Sequence, residues 1–169
     1  MTVHFQDSLN DVSRRYREAG EAKDLDAIMA TLSPGVTFHS PLSQRASFSG
    51  HAQIRQLFAV ALGALGELRY HTDVGDERTR MLAATARLGK HELEEAALVR
   101  IGEDGLIEDV TMWIRPLPAL TAMMAALGPG LARAAGRPAL AALVGASVRP
   151  LAFMTDVGDR TMVPLVSPK

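Results

Sequence analysis

Hydrophobic residues recur at helical spacing after Lys23 and then give way to a strand-like run that ends at Pro41. Asp24 is a favourable N-cap for this helix, because its carboxylate can accept hydrogen bonds from the free amides of the first turn. Ser33-Pro34-Gly35 predicts the end of the helix, since proline disfavours helical geometry in the residue before it. Val36 to Ser40 is then predicted to be a strand. The apolar helix face consists of Leu25, Ile28, Met29 and Leu32.

Two further helices are predicted on either side of this stretch. Residues 4–22 carry apolar side chains at steps of three and four, and Gly20 lies near the expected end. Residues 42–49 are polar and predict a loop, after which Gly50-His51 opens a third helix that stops at Gly66. The stripe of the first helix is Phe5, Leu9, Val12, Tyr16 and Ala19.

Beyond Gly66 the pattern changes to alternation, which is typical of strands. We predict strands over Glu67–Val74, Thr79–Leu88, His91–Ile101 and Leu106–Arg115, separated by turns at Gly75-Asp76, Gly89-Lys90 and 102–105. Three helices followed by a meander of antiparallel strands predict an α+β fold, with the helices on one face of a curved sheet.

The composition changes after Pro116 to a segment rich in Ala and Leu. Breaks at Gly128-Pro129-Gly130 and at Gly136-Arg137-Pro138 predict three helices, near 118–127, 130–135 and 138–147. We expect them to pack on the domain or on a second subunit, and Leu151–Lys169 to form an extended tail. A helix on a membrane surface is less favoured, because Arg133, Arg137 and Arg149 form no polybasic face.

The length, charge and cysteine content of the chain exclude several classes of function. The 169 residues suit one domain with a proper core, and the net charge of −1 provides no field that attracts nucleic acid. The chain has no cysteine, which excludes disulfides, thiolate metal sites and cysteine nucleophiles. No uncharged apolar run reaches the roughly 18 residues of a membrane span, and the N-terminus lacks the pattern of a signal peptide. We therefore expect a cytoplasmic protein without nucleic-acid or membrane partners.

This order of elements resembles the nuclear transport factor 2-like superfamily, in particular its SnoaL-like and ketosteroid-isomerase-like branch. The resemblance covers about residues 4–116 and implies a cone-shaped curved sheet with three helices packed on it. It implies a SnoaL-like domain over 1–116, and the change of composition after Pro116 predicts a helical extension and tail over 117–169. The motifs that carry it are Asp24-Leu25-Asp26, Val36 to Pro41, Phe48-Ser49-Gly50 with Ile54, and Gly105-Leu106-Ile107.

The resemblance also identifies which isomerase groups are missing. In ketosteroid isomerases, a tyrosine and a protonated aspartate form the oxyanion hole, and a second aspartate moves the proton. Tyr16 resembles the family tyrosine, but Ser40 stands where the proton-moving base is expected and Ala97 stands where the other aspartate, that of the oxyanion hole, is expected. Steroid isomerisation by that mechanism is therefore not expected.

Other polar groups are candidates for chemistry. Glu95 lies two residues before Ala97 and could share its inward face, where desolvation would raise its pKa. The run Glu92, Glu94 and Glu95 instead favours a solvated strand face, because clustered charges are usually exposed. His39 could act as an acid or base, although strand alternation places it outward if Ser40 points inward. In the last strand, Glu108 is expected to face the cone and Asp109 the outer side. The histidines at 51, 71 and 91 lie on different elements, so we expect no metal site.

The expected pocket is mostly apolar and suits a small hydrophobic ligand held by one or two hydrogen bonds. One hypothesis is a SnoaL-like enzyme that performs cofactor-free acid–base chemistry on a polyketide-, terpenoid- or steroid-like molecule, with Tyr16, Glu95 and His39 as catalytic groups. The alternative is a non-catalytic module that binds a small ligand or only dimerises. The predicted lining is Phe38, Ser40, Leu57, Phe58, Val110, Met112 and Ile114.

The outward side of the sheet predicts an interface. Thr111 and Trp113 alternate with the inward residues of the last strand and lie near further apolar side chains. We expect either a homodimer buried on this face or the C-terminal helices covering it.

Overall fold

The chain folds into six helices and six strands in the computed structural model, which describes the backbone of residues 3–166 and the side chains of residues 12–166. The predicted contacts of Phe5 and Leu9 lie outside the described side chains. The elements are α1 (Val3–Ala22), α2 (Leu25–Met29), β1 (Leu32–His39), β2 (Ser47–Ser49), α3 (Gly50–Ala64), β3 (Gly66–Gly75), β4 (Thr79–Leu88), β5 (His91–Ile101), β6 (Ile107–Arg115), α4 (Leu117–Ala134), α5 (Pro138–Thr161) and α6 (Val163–Val166).

The sheet has the order β2-β1-β6-β5-β4-β3 and is not closed into a barrel. The predicted meander from β3 to β6 is confirmed, and its neighbouring strands are all antiparallel. The sheet is mixed rather than purely antiparallel, because β1 runs parallel to β6. The predicted α+β class, with helices on the sheet and a helical C-terminal extension, is confirmed.

The first strand begins earlier than the proline pattern predicted. Asp24 caps α2 as expected, and its side chain accepts from the amide of Ala27 at 3.0 Å. The helix nevertheless ends at Met29, before Leu32, because the carbonyl of Thr31 already accepts from the amide of Ile107 on β6. The register of β1 against β6 is irregular between Leu32 and Thr37, which places Pro34-Gly35 in a bulged part of the strand.

The predicted loop over 42–49 also contains a strand. Ser47–Ser49 forms β2 and pairs with the end of β1, with His39 opposite Ser47. Three residues with polar ends carry too weak an alternation for this strand to be recognised from the sequence.

The C-terminal region differs most from prediction. The expected break at Gly128-Pro129-Gly130 is wrong, because α4 continues through it to Ala134. These glycines serve close packing: a Cβ added at Gly128 would lie 2.8 Å from Val144 of α5, and one at Gly130 would lie 2.4 Å from Val60 of α3. The predicted extended tail from Leu151 is also wrong, since α5 continues to Thr161.

The core lies between the inner face of the sheet and the helices. On β5, residues 93, 95, 97, 99 and 101 are buried while their neighbours are more exposed, which is the alternation of a sheet with one covered face. Helix α4 belongs to the same core through Ala119, Met123 and Leu127. The first half of the C-terminal extension is therefore packed on the domain's own inner face.

Candidate functional site

A pocket opens between the inner face of the sheet and helices α1, α3 and α4. The cavity volume, counted as the space open to the centres of water molecules, is about 70 Å³. This volume suits a few waters or a small ligand. Its polar lining side chains are Tyr16, Ser40, Tyr70 and Glu95. The other lining residues are apolar: Gly20, Ile28, Phe38, Pro41, Leu57, Phe58, Ala61, Leu62, Leu65, Leu68, Met112, Ile114, Met123 and Leu127.

Most of the predicted lining residues meet in this pocket. Phe38 from β1 and Phe58 from α3 pack edge to face with ring centres 5.8 Å apart, which fixes one apolar wall. Val110 lies elsewhere in the core, since it is buried but is not among the lining side chains. The predicted ligand-binding residues that line the pocket are Phe38, Ser40, Leu57, Phe58, Met112 and Ile114, and the candidate catalytic residues Tyr16 and Glu95 line it too.

The polar part of the pocket is built by Tyr16, Tyr70 and Glu95, which come from three elements. Tyr16 lies on the core-facing stripe of α1, and Glu95 lies on the inward face of β5 between Leu93 and Ala97. Tyr70 comes from β3 and its hydroxyl is hydrogen-bonded both to Glu95 and to Tyr16. The two tyrosine rings meet edge to face with centres 6.4 Å apart. We call these three residues the polar cluster.

Burial changes the protonation behaviour of the polar cluster. Desolvation raises the pKa of Glu95 from 4.5 to about 7, and the hydrogen bond from Tyr70 opposes part of that rise. Desolvation, with the nearby charge of Glu95, also raises the pKa of both tyrosines above the ordinary value. The phenols therefore remain hydrogen-bond donors at neutral pH, while Glu95 exchanges its proton there.

Helix α1 holds Tyr70 in place. The backbone amide of Tyr70 donates to the Glu21 carboxylate at 2.7 Å. Gly20 leaves room for the ring, because a Cβ added there would lie 3.2 Å from a ring carbon of Tyr70. Gly20 lies near the end of α1 as predicted, since α1 ends at Ala22, and the absence of a side chain there also makes room for Tyr70.

His39 does not reach the pocket. Its Nε2 lies 2.8 Å from Oδ2 of Asp109, and both side chains are partly exposed on the other side of the sheet. The parallel register places Thr37 opposite Asp109 and His39 opposite Thr111, so the two side chains approach diagonally. Asp109 thus lies outward as expected, and the structure brings His39 to Asp109 rather than to Tyr16.

The expectation that Glu108 faces the cone is wrong. Arg100 pairs with Asp109 and Ile101 pairs with Ile107, which leaves Glu108 as the extra residue of a bulge. Ile107 and Val110 are buried on either side, whereas Glu108 is exposed. A bulge breaks the alternation on which the expectation depended.

Tyr70 was not identified from the sequence, although a usable pattern was present. Leu68 and Tyr70 are two residues apart on β3 and therefore share one face of the strand. Leu68 is buried, so the same alternation places the only other tyrosine of the chain toward the core. The pattern indicates the face, but the partner Glu95 becomes visible only when β3, β4 and β5 are assembled.

Between residues 12 and 166, no group of three or more His, Asp or Glu side chains is arranged to hold a metal ion. His51 instead makes a 3.0 Å hydrogen bond to the carbonyl of Leu32.

Comparison with known proteins identifies the family. Residues 13–110 match the family model described as a SnoaL-like domain, which is more than half of the chain. The chain therefore belongs to the SnoaL-like domain family, as the sequence motifs predicted. No curated protein sequence matches the chain.

Solved structures share the nuclear transport factor 2-like fold. A steroid delta-isomerase from Pseudomonas aeruginosa is 23% identical with a TM-score of 0.65, over 76% of this chain and 92% of that chain. A putative ketosteroid isomerase from Kribbella flavida is 16% identical with a TM-score of 0.59, over 66% and 80%. The epoxide hydrolase/cyclase-like enzyme SalBIII, with a role in pyran ring formation in the polyether salinomycin, is 14% identical with a TM-score of 0.55, over 63% and 90%. At these identities, the similarity shows the fold alone.

Proposed function

We propose that this protein is a cofactor-free acid–base enzyme acting on a small, mainly apolar molecule that carries a carbonyl or hydroxyl oxygen, such as a polyketide-, terpenoid- or steroid-like compound. The observation that carries the proposal is Glu95, a carboxyl group that is 6% exposed at the wall of an apolar pocket and hydrogen-bonded to Tyr70. A carboxyl group that titrates near pH 7 is suited to move protons at physiological pH. The structural neighbours named isomerase and cyclase are compatible with this class of chemistry.

The reaction that fits these groups begins with proton removal beside a carbonyl. The Glu95 carboxylate takes the proton, and the C–H bonding electrons form the carbon–carbon double bond of an enolate. The carbonyl electrons move to oxygen, which accepts a hydrogen bond from the Tyr16 hydroxyl after that hydroxyl turns from Tyr70 to the substrate. Glu95 then returns the proton to the same or another carbon, so that no cofactor or net redox change is needed.

This mechanism differs from the one that the isomerase resemblance describes. Ser40 lines the pocket at the position expected for the isomerase base, and its Oγ accepts from the amide of Leu42 at 3.2 Å. Ala97 holds no acid on β5, but Glu95 occupies the neighbouring inward position of the same strand. A carboxyl group is therefore present one inward position from residue 97, and in the proposed reaction it serves as the base rather than as the acid of the oxyanion hole.

The test is exchange of the α-protons of 2-tetralone, an apolar ketone, for deuterium, followed by NMR in heavy water. We expect Glu95→Gln to reduce the exchange rate at least about 100-fold, which is the contribution of a positioned acid–base group. Glu94→Gln is the matched control, because Glu94 lies on the same strand but on the exposed face. Equal rates for wild type and E95Q, or no exchange above buffer, would contradict the proposal.

The alternative is a non-catalytic module that binds a small apolar ligand. Its specific support is that the buried polar atoms already have partners: no buried side-chain nitrogen or oxygen among the described side chains lacks a hydrogen bond. Binding of 2-naphthol, followed by fluorescence, tests this alternative. Tight binding that E95Q leaves unchanged, without any exchange activity, would favour the module over the enzyme.

We also propose that a second copy covers the outer sheet face, as expected from the sequence. Helix α4 packs on the inner face, so Trp113 remains 49% exposed beside Ala96, its partner on β5. Leu98 and Thr111 form the next pair of this face. Light scattering should report a homodimer that Trp113→Lys dissociates and the control Val74→Lys does not; a monomeric wild type would contradict this.

A further inference from the structure

Helix α5 exposes an unusually apolar surface. The helical segment Pro138–Val166 is long and apolar enough to cross a membrane by length and composition, yet only 6% of its most apolar 18-residue window is buried. Helices that are apolar on all sides are normally buried in a protein core or in lipid. Its exposed large apolar side chains are Leu140, Leu143, Leu151, Phe153, Met154, Met162, Val163, Leu165 and Val166.

One side of α5 is already occupied by the protein. Ala141 and Val148 are buried, and Val144 would lie 2.8 Å from a Cβ added at Gly128 of α4. This packing fixes which side of the helix remains free. Leu143 and Met154 are eleven residues apart, close to three full turns, and lie on this free side. Leu140 and Leu151 border the packed side next to Val144 and Val148 and are 41% and 44% exposed. The helix can thus lie along an apolar surface without leaving the domain.

The charge of the chain is divided unevenly between its two parts. Residues 1–116 carry 13 Lys and Arg against 17 Asp and Glu, a net charge of −4, whereas residues 117–169 carry five against two, a net of +3. Arg133 and Arg137 lie exposed at the turn between α4 and α5, and Arg149 lies exposed at the middle of α5. Among the side chains of residues 12–166, no ion pair is described for these three arginines.

Charge argues against a second copy as the occupant. Arg149 follows Leu143 by six residues, about 120° further round the helix, so it lies beside the apolar side rather than within it. Pairing two copies of this segment, each with a net charge of +3, would bring like charges together around the interface, which is unfavourable. At an anionic lipid surface, the same arginines meet phosphate groups, and the long side chain of Arg149 can reach from the apolar zone to the headgroups.

We propose that the exposed side of α5 docks in the plane of an anionic lipid bilayer, with its leucines, Phe153 and Met154 in the acyl boundary and the arginines at the headgroups. This differs from the sequence expectation of no membrane partner, because the helix is 24 residues long instead of ending near residue 147. The inference goes beyond the proposed function and does not depend on it.

The test is flotation of the full-length protein with vesicles of phosphatidylcholine alone or mixed with phosphatidylglycerol. We expect binding to the mixed vesicles that weakens at high salt, and at least tenfold weaker binding for Leu143→Glu, whose side chain is 64% exposed. Val74→Glu is the matched control, because it introduces the same charge at an apolar residue that is 56% exposed on β3. The control should bind like wild type.

Phe153→Glu, at a residue 68% exposed, provides a second variant should Leu143→Glu fold poorly. Circular dichroism and Tm verify folding before binding is compared. Absence of flotation with both vesicle types would overturn the proposal. An assembly in solution that L143E disrupts, without vesicle binding, would overturn it in favour of a second copy on α5. Equal binding of L143E, F153E and wild type would overturn it as well.

Discussion

The two faces of one sheet carry two acid-containing clusters that behave differently. On the inner face, Glu95 is 6% exposed and hydrogen-bonded to Tyr70, which also contacts Tyr16. On the outer face, the side chains of His39 and Asp109 lie 2.8 Å apart but are 48% and 26% exposed. Only the inner cluster combines an acid with an apolar enclosure, and burial is the largest cause of the raised pKa of Glu95. Proximity of an acid to a partner is therefore not enough to make a proton-transfer site.

The largest expected effect is a pH-dependent loss of unfolding free energy that arises from Glu95 on the inner face. Because the folded pKa of Glu95 is raised from 4.5 to about 7, its contribution to stability is fully present below pH 4.5 and is lost as the pH rises through 7. The loss is about 3 kcal/mol, at about 1.4 kcal/mol per pKa unit. Urea unfolding at pH 4.5 and pH 8 should show this loss in wild type and not in Glu95→Gln. If the unfolding free energies of wild type and Glu95→Gln changed with pH in the same way, the desolvation of the Glu95 carboxylate would be refuted.

The second-largest effect on the unfolding free energy is expected from removal of the Tyr70 hydroxyl. Tyr70→Phe leaves both Glu95 and Tyr16 without their shared partner, which should cost about 1–3 kcal/mol of unfolding free energy. The pKa of Glu95 should rise further, because the hydrogen bond from Tyr70 lowers it. Carbon NMR of the Glu95 carboxyl group measures that change. Tyr16→Phe is the control and should cost less, since the Tyr16 hydroxyl is hydrogen-bonded to Tyr70, whereas Tyr70 is bonded to both Tyr16 and Glu95. A larger cost for Tyr16→Phe would contradict the central position of Tyr70 in this network.

Alanine substitutions at two glycines test how tightly the polar cluster is packed. Gly20→Ala places a methyl group 3.2 Å from the ring of Tyr70, whereas a Cβ at Gly63 meets nothing within 4 Å. We expect G20A to lose about 0.5–1 kcal/mol through this contact, and G63A to gain about as much from alanine's helix propensity. Thermal unfolding compares the two. Equal stabilisation of both variants would show that the Tyr70 ring shifts away from the added methyl group without loss of stability.

The smallest effect is expected on the outer face. A double-mutant cycle of His39→Ala and Asp109→Ala should give a coupling of about 0–1 kcal/mol, because exposed ion pairs contribute little and are screened by salt. Urea unfolding at low and high salt measures the coupling. A coupling above about 2 kcal/mol would mean that the face is covered, which would support the proposed homodimer.

Much of the inner face could be predicted from the sequence, because alternation alone determines which side of a strand is buried. The bounds of β4 and β5 match the predicted strands, and Glu95 lies inward as the spacing from Ala97 indicated. The N-cap at Asp24 and the apolar lining residues Phe38 and Phe58 follow from equally local patterns. These features depend on neighbours within a few residues along the chain.

Other features were decided by contacts between distant parts of the chain. The carbonyl of Thr31 pairs with Ile107 and starts β1 before the proline, and a bulge at Glu108 interrupts the alternation of β6. The glycines at 128 and 130 interrupt no helix, since they admit Val144 and Val60 from neighbouring helices.

The sequence by itself determined the family and the apolar inner face, and it left Glu95 open between an inward and a solvated position. Only the tertiary structure buried Glu95, placed Tyr70 of β3 between Glu95 of β5 and Tyr16 of α1, and brought His39 to Asp109 on the outer face. The physical reason is that a pKa and a hydrogen-bond network depend on groups that meet in space from different elements, and on the water that their packing excludes.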